Sequence, residues 1–332
     1  MKQALLAALG LALAHHAQAS YLDHPEALAF MHDIAEKQGM DEYYLQTLLA
    51  AVSRDDSVLE KISRPAEKTK TWAEYRPIFL DDARIQNGVA FWNAHAETLA
   101  RAEKEYGMDP AIIVAILGVE TRYGKVTGST PVFQALATLC FDYPKRAPFF
   151  CEQVDYFLRL SQRENVNPLR IKGSYAGAMG MAQFMPSSYY NDAIDYDGDG
   201  AINLWESPAD AIGSIANYMK VRGWQAGGSL VYRLPALPDG HPLLEKHQPH
   251  LELAALRDDD TLKNDTNFIK WTDKHPGEKA GGLELMGTDG KEYWLTHNNF
   301  YVITRYNTSP LYAMAVIDLA KRIVEERQRN TP

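Results

Sequence analysis

The chain has 332 residues, 46% of them hydrophobic and 23% charged, a globular balance that excludes disordered and fibrous classes and gives room for one large domain or two to three smaller ones. A formal net charge of −9 argues against binding to a phosphate backbone, so no nucleic-acid partner is expected. The two cysteines, Cys140 and Cys151, are compatible with a small-loop disulfide in an oxidising compartment or with two separate buried thiols.

The first residues read as a secretory signal over 1–19: Lys2, an apolar run from Ala4 to Ala14, and the small-x-small site Ala17-Gln18-Ala19. The run is shorter than the ~20 residues that span a bilayer. Cleavage before Ser20 removes Lys2 and leaves a charge of −10. Ser20 offers no thiol for a lipid anchor, so a soluble periplasmic protein is expected. Helical spacing follows, in Leu28, Met31, Ile34 and then Leu45, Leu48, Leu49, Val52. One long helix is predicted from about Asp82 to Tyr106, ending at Gly107. Asp109-Pro110 then opens an apolar helix, Asp as N-cap and Pro at its first position. Beyond Gly227-Gly228 come short β-favouring runs: Leu230 to Leu234, Leu251 to Leu256, Phe268 to Trp271, and Leu283 to Met286 with Tyr293 to Thr296 about the turn signal Asp289-Gly290. A last helix, opened by Ser309-Pro310, would close on the helical part.

Glu120 ends a stretch, Ala111 to Val119, without a charge. A helix apolar on every side is buried, and Gly124 is a plausible stop, so the carboxyl would leave a core in the last turn of a helix. Burial and the carbonyl end of the dipole both disfavour its charged form, as a proton donor near neutral pH requires. The alternative is a structural ion pair with Arg122 or another arginine. The stretch GSYAGAMGMAQFMPSSY, Gly173 to Tyr189, suggests backbone that approaches something closely, with the Gln183 amide available to a sugar, or else a tight helix crossing.

The run DYDGDGAINLWE, Asp195 to Glu206, matches the twelve-residue calcium loop: carboxylates at Asp195, Asp197 and Asp199, Gly200 at the bend, Ala201 giving a backbone carbonyl, Asn203 ninth and Glu206 last. Hard oxygens at that spacing suit Ca2+ in a structural role, and no organic cofactor is expected.

GVETRYG, GSYAGAMGMAQFMPSSY, the acidic loop with INLWESPADAIGSIANYMKVRGW, and NNFYVITRYNTSPLYAMAV together resemble the membrane-bound lytic murein transglycosylase B family of lysozyme-like enzymes, over about residues 25–325. The resemblance implies a mainly helical α+β fold: a helical domain at 20–107, a lysozyme-like core with the calcium loop at 108–226, a small antiparallel β domain at 227–304, and a closing helix in 305–332. It implies cleavage of the β-1,4 bond between N-acetylmuramic acid and N-acetylglucosamine of peptidoglycan glycan strands, leaving 1,6-anhydromuramoyl ends. Glu120 corresponds to the acid/base and Ser174 to its hydrogen-bonding neighbour. Gln183, Phe184, Tyr218, Tyr306, Asn307 and Tyr312 would line the groove, with Tyr75, Lys145 and Arg146 as more distal contacts. The family uses a carboxylate beyond the twelfth loop position, so Asp210 competes with Glu206 for the last ligand role.

Ordinary glycosidases set two carboxylates about 5 Å or about 6.5–9.5 Å apart, whereas the matching motifs here offer one acid outside the calcium loop. A substrate-assisted scheme fits, in which Glu120 protonates the leaving oxygen and then deprotonates the muramic acid C6 hydroxyl that attacks C1. A lysozyme-type hydrolase and a calcium-stiffened peptidoglycan-binding module remain as alternatives.

Overall fold

The computed structural model describes residues 19–64, 69–275 and 277–329; the signal reading falls outside them apart from Ala19. As far as Tyr106 the chain forms α1 (Pro25–Gln38), α2 (Glu42–Ala50), α3 (Asp56–Ser63), α4 (Trp72–Tyr75), α5 (Asp82–Ala94) and α6 (Ala96–Tyr106). Asp41, Asp55 and Asp81 start α2, α3 and α5 by accepting amide hydrogens of the first turn, which satisfies donors that a helix start leaves without partners. The long helix expected over Asp82 to Tyr106 is therefore two. The break is His95 (φ −120°), whose amide closes onto the Phe91 and Trp92 carbonyls. The apolar stripe keeps nearly the same spacing on both sides, so periodicity conceals it.

The next helices are α7 (Pro110–Thr121), α8 (Val132–Phe141), α9 (Ala147–Arg163), α10 (Pro186–Asp192) and α11 (Pro208–Val221). After α12 (Leu253–Leu256) and α13 (Thr266–Thr272) come α14 (Asn298–Tyr306) and α15 (Pro310–Arg329). Asp109 caps α7 through the Ala111 amide at 2.8 Å, and the α7 side chains from Ile113 to Leu117 have no exposed surface. Helix α15 lies along α7 and α5, so one continuous core runs from Tyr21 to Ile323.

Strands β1 (Thr130–Pro131) and β2 (Lys172–Gly173) pair antiparallel. The strands β3 (Val231–Leu234), β4 (Leu251–Glu252), β5 (Lys279–Gly287) and β6 (Gly290–Thr296) form an antiparallel sheet of order β3-β6-β5-β4. The β5–β6 hairpin turns at Thr288-Asp289, with Gly290 at φ +112°, a left-handed value that costs glycine least. A second core, including Leu243, Phe268 and Leu295, lies under this sheet. Two expected strands are corrected. Only Leu251–Glu252 of the first is strand before α12 begins, and Phe268 to Trp271 lies inside α13, where Asp265 accepts from the Asn267 and Phe268 amides. A short apolar run fits either structure, and here the cap decides. Among the described residues no helix is long and apolar enough to cross a membrane.

Cys140 at the end of α8 and Cys151 in α9 are disulfide-bonded, with Cα atoms 4.7 Å apart across a sequence separation of 11, which resolves the two readings left by the sequence. Loop-closure entropy for a ring of this size is worth about 3 kcal/mol. The double variant C140A/C151A should unfold in urea with stability lower by roughly that amount, and reducing the wild type should reproduce the loss.

Candidate functional site

Helix α7 carries the acid. Its last turn holds Glu120, half-buried, directly after the buried run. Gly118 has a packing reason to be glycine: a Cβ there would lie 2.5 Å from the Tyr123 hydroxyl oxygen, which folds back beneath the helix. The chain leaves through three left-handed residues, Arg122 (φ 51°), Tyr123 (φ 62°) and Gly124 (φ 84°). For the two that are not glycine this conformation costs about 1–3 kcal/mol each and persists only where surroundings enforce it. Here they do. Arg122 reaches Asp81 with both terminal nitrogens at 3.4 and 3.2 Å, the Tyr123 hydroxyl donates to the Arg84 carbonyl at 2.9 Å, and the Gly124 amide donates to the Thr121 hydroxyl at 2.9 Å. The arginine that follows the acid in sequence thus serves Asp81.

The partner of Glu120 comes from the far end of the chain. Tyr312, 2% exposed on α15, donates its hydroxyl to Glu120 Oε1 at 2.6 Å. Burial, the Glu120 carboxylate and the Tyr306 phenol together push its pKa far above the ordinary tyrosine value, so it stays a donor throughout the useful pH range. Tyr306, last residue of α14, stacks parallel to Tyr312 with ring centres 6.5 Å apart and donates to the Ala182 carbonyl. Burial and then Glu120 also raise its pKa well above normal. Tyr218 meets Tyr306 edge-on at 4.9 Å and donates to the Arg305 carbonyl at 2.5 Å. Phe184 touches both, at 5.4 and 5.8 Å between ring centres. Tyr75 is buried at 2% exposure and close enough to Tyr312 to add to the rise in its pKa. Asn307 turns its side chain to the Ser309 amide at 3.1 Å, fixing the step from α14 to α15.

The stretch from Gly173 to Tyr189 runs beside this cluster. Its glycines approach protein backbone and side chains: a Cβ on Gly173 would strike the Ala178 carbonyl, one on Gly177 the side chain of Leu136, and one on Gly180 the Leu204 carbonyl. Close packing within the protein therefore explains their spacing, but the segment ahead of α10 is a run of turns and not the tight helix crossing. Ser174 Oγ accepts from the Ala176 and Ala178 amides at 3.2 and 3.0 Å, which leaves its proton available to donate. Gln183, at φ 49°, gives its amide nitrogen to the Thr127 and Gly180 carbonyls at 3.0 and 2.9 Å. Lys145 and Arg146 are exposed ahead of α9, with the Arg146 guanidinium over the rings of Phe149 and Phe150 at 4.4 and 5.1 Å.

In the acidic loop, Asp195, Asp197 and Asp210 bring one carboxylate oxygen each within 4.8 Å of the others. Asp210, 1% exposed, accepts from the Tyr196, Asp197 and Asn203 amides at 2.7, 3.3 and 2.8 Å. Burial outweighs these donors and raises its pKa, with Asp197 adding to the rise. Asp195 accepts from the Gly198, Asp199 and Gly200 amides, and these hold its pKa below the usual carboxylate value. Asp199 accepts from the Ala201 amide at 2.9 Å. Glu206 is exposed and, like Asp199 and Ala201, stands outside the three-carboxylate group.

Glu120 thus lies at the end of a buried helix beside a cluster of tyrosines, with the acidic loop on the other side of the 173–189 segment. The sequence profile of the transglycosylase SLT domain matches residues 23–321, and the chain belongs to this family of lytic transglycosylases. It is 41% identical over 320 residues to the membrane-bound lytic murein transglycosylase B of Escherichia coli strain K12, covering 92% of this chain and 85% of that one. It superposes on the soluble lytic transglycosylase SltB1 from Pseudomonas aeruginosa with a TM-score of 0.81 and 45% identity, covering 92% of this chain and 100% of the other. Slt35 of Escherichia coli, in a structure with calcium, gives 0.81 and 39%, with 94% and 96% covered. The mainly helical α+β fold with small antiparallel sheets is thus the family's fold.

Thr121, Asp81 and Tyr123 were not singled out in the sequence. The only signal for Thr121 is a polar side chain beside Glu120 at the end of an apolar helix, and nothing in the sequence links Asp81 to Arg122. Replacing Tyr312 by Phe removes a hydrogen bond to a charged group, worth about 1.5–3 kcal/mol. Turnover of peptidoglycan by Y312F should fall roughly ten- to hundredfold in kcat, with unchanged circular dichroism as the check that the fold survives.

Proposed function

We propose that Glu120 is the single acid/base with which this lytic transglycosylase cleaves the β-1,4 bond between N-acetylmuramic acid and N-acetylglucosamine in peptidoglycan. The observation that carries the reading is the 2.6 Å bond from the Tyr312 hydroxyl to Glu120 Oε1 at the end of a wholly apolar helix. That donor fixes one carboxyl oxygen, and the other is the one to carry the catalytic proton. Glu120 protonates the glycosidic oxygen as the C1–O bond breaks. The substrate's 2-acetamido group stabilises the positive charge at C1, and the carboxylate then removes the proton from the C6 hydroxyl as that oxygen bonds to C1. The products are a glycan ending in a 1,6-anhydro ring and a released N-acetylglucosamine hydroxyl. No water is consumed, and the nucleophile is held by its own ring.

In this reading the Ser174 hydroxyl donates to Glu120, and Gln183, Phe184, Tyr218, Tyr306 and Asn307 wall the groove. Tyr75, Lys145 and Arg146 meet the strand farther out. The division into a helical domain to residue 107, a core to 226, a β domain to 304 and a closing helix belongs to the same proposal; the separate core under the sheet supports it. Peptidoglycan lies outside the cytoplasmic membrane, so we place the reaction in the periplasm, where a disulfide such as Cys140–Cys151 also persists.

The acidic loop is proposed to hold Ca2+ in a structural role. Three carboxylates with oxygens within 4.8 Å of one another repel unless a cation or protons lie among them, and an all-oxygen donor set suits a hard cation. Asp195, Asp197 and Asp210 are the ligands favoured here. Asp199, the Ala201 carbonyl and Glu206 complete the loop's pattern, with Asp210 preferred to Glu206 because its carboxylate faces the other two.

Two measurements test these assignments. Mass spectrometry of purified peptidoglycan after digestion should find muropeptides lighter by one water than hydrolysis products, and none with E120Q; activity of E120Q near the wild-type level would remove Glu120 from its role. In thermal unfolding, Ca2+ at a hundredfold excess over its Kd should stabilise the protein by about 2.7 kcal/mol. Chelator should reverse the gain and D210N abolish it, whereas an E206Q variant should keep most of it.

A further inference from the structure

We infer that Thr121 is a positioning residue for Glu120, acting through the peptide unit of Met181, which ties the catalytic helix to the acidic loop. The inference rests on the assignment of Glu120 as the acid/base. Thr121 is the residue after Glu120 and 1% exposed. Its hydroxyl donates to the Met181 carbonyl at 2.9 Å and accepts from the Gly124 amide at 2.9 Å. One side chain therefore closes the left-handed exit of α7 and fastens that exit to the segment that carries Gln183 and Phe184.

The chain of bonds continues. The Met181 amide donates to the Leu204 carbonyl at 2.7 Å, and Leu204 belongs to the acidic loop. Gly180 packs so close to Leu204 that a Cβ would lie 2.6 Å from the same carbonyl. Thr121, residue 181 and Leu204 thus form a continuous ladder, Oγ1–H to O=C and N–H to O=C, from the catalytic helix to the metal loop. A buried hydroxyl with a single proton donates to the Met181 carbonyl and accepts from the Gly124 amide, with the Leu117 carbonyl a longer second acceptor at 3.4 Å.

Other bonds hold this helix end from different sides, Tyr312 at Glu120 itself and Gln183 at the Thr127 carbonyl. Three residues in left-handed conformation follow Thr121, and the first two are braced by side chains pointing away toward α5, Arg122 to Asp81 and Tyr123 to the Arg84 carbonyl. Thr121, adjacent to Glu120, braces the exit toward the 173–189 segment ahead of the Gln183 bond to Thr127, so it sets the spacing between Glu120 and the residues assigned to the groove. An acid/base catalyst loses rate steeply when displaced by about an ångström, while remote subsites still bind the glycan. Loss of the Thr121 hydroxyl should therefore lower kcat and leave KM nearly unchanged.

The test compares T121V, T121A and T121S with wild type and E120Q on purified peptidoglycan, measuring kcat and KM for anhydro-muropeptide release, with circular dichroism to confirm folding. T121A serves as the hydroxyl deletion should the extra methyl of T121V disturb the fold. The expected result is a ten- to hundredfold fall in kcat for the deletions, KM within threefold of wild type, and recovery to within fivefold of wild-type kcat in T121S. A deletion variant with kcat within twofold of wild type overturns the inference, as does a rise in KM alone, or a T121S variant no better than T121A. If E120Q retains activity, the assignment of the acid itself fails; if E120Q is dead while T121A is fully active, only the role of Thr121 fails.

Discussion

The packing of α15 along α7 is the constraint on which the rest of the site depends. Helix α7 is apolar on every face, so it is driven inside whatever its neighbours are, and its far end delivers one carboxyl to the edge of the core. Helix α15 covers it and brings Tyr312 across 192 residues of sequence to donate to that carboxyl. Burial makes the bond matter: in a low-dielectric setting a carboxylate without donors would be costly, and a phenol whose pKa is pushed far above its normal value remains a dependable donor. The parallel stack of Tyr306 on Tyr312 then orders the second tyrosine, and its hydroxyl pins the 173–189 segment at Ala182.

A second set of constraints surrounds the exit of α7. The strained turn after Glu120 is held from the α5 side by Asp81 and the Arg84 carbonyl, and from the opposite side by Met181. The same segment leans on Leu204 of the acidic loop. The loop and Glu120 are distant in sequence yet share one short run of hydrogen bonds, so a change in the loop has a mechanical route to the end of α7. Polar contacts of this kind fix geometry more than they add net stability.

Much of this was legible in the sequence, for identifiable reasons. Glu120 stood out because a charge after nine apolar residues has few places to go. The acidic loop stood out because its carboxylates recur at the spacing of a twelve-residue calcium loop. Tyr306 and Tyr312 were found through motif resemblance, since an aromatic at helical spacing otherwise reads as core, and both are indeed well packed. Other features were not legible. The break at His95 leaves the hydrophobic stripe intact, so no period reveals it. Phe268 to Trp271 reads equally well as strand or helix until Asp265 caps it. The glycines of the 173–189 stretch looked like ligand-facing backbone, but their closeness is to Ala178, Leu136 and Leu204, a fact of tertiary packing. The preference for Asp210 over Glu206 needed the fold, because only folding shows which carboxylate turns inward.

The central claim is that the bond at C1 is closed by the substrate's own C6 hydroxyl under the action of Glu120, without water. Digestion of purified peptidoglycan in water enriched in oxygen-18, with the released muropeptides weighed, addresses it most directly. The account predicts no heavy oxygen at the new muramic acid end. One oxygen-18 atom at C1 in the primary products would show that water attacks there, and would make the protein a hydrolase built on the same fold.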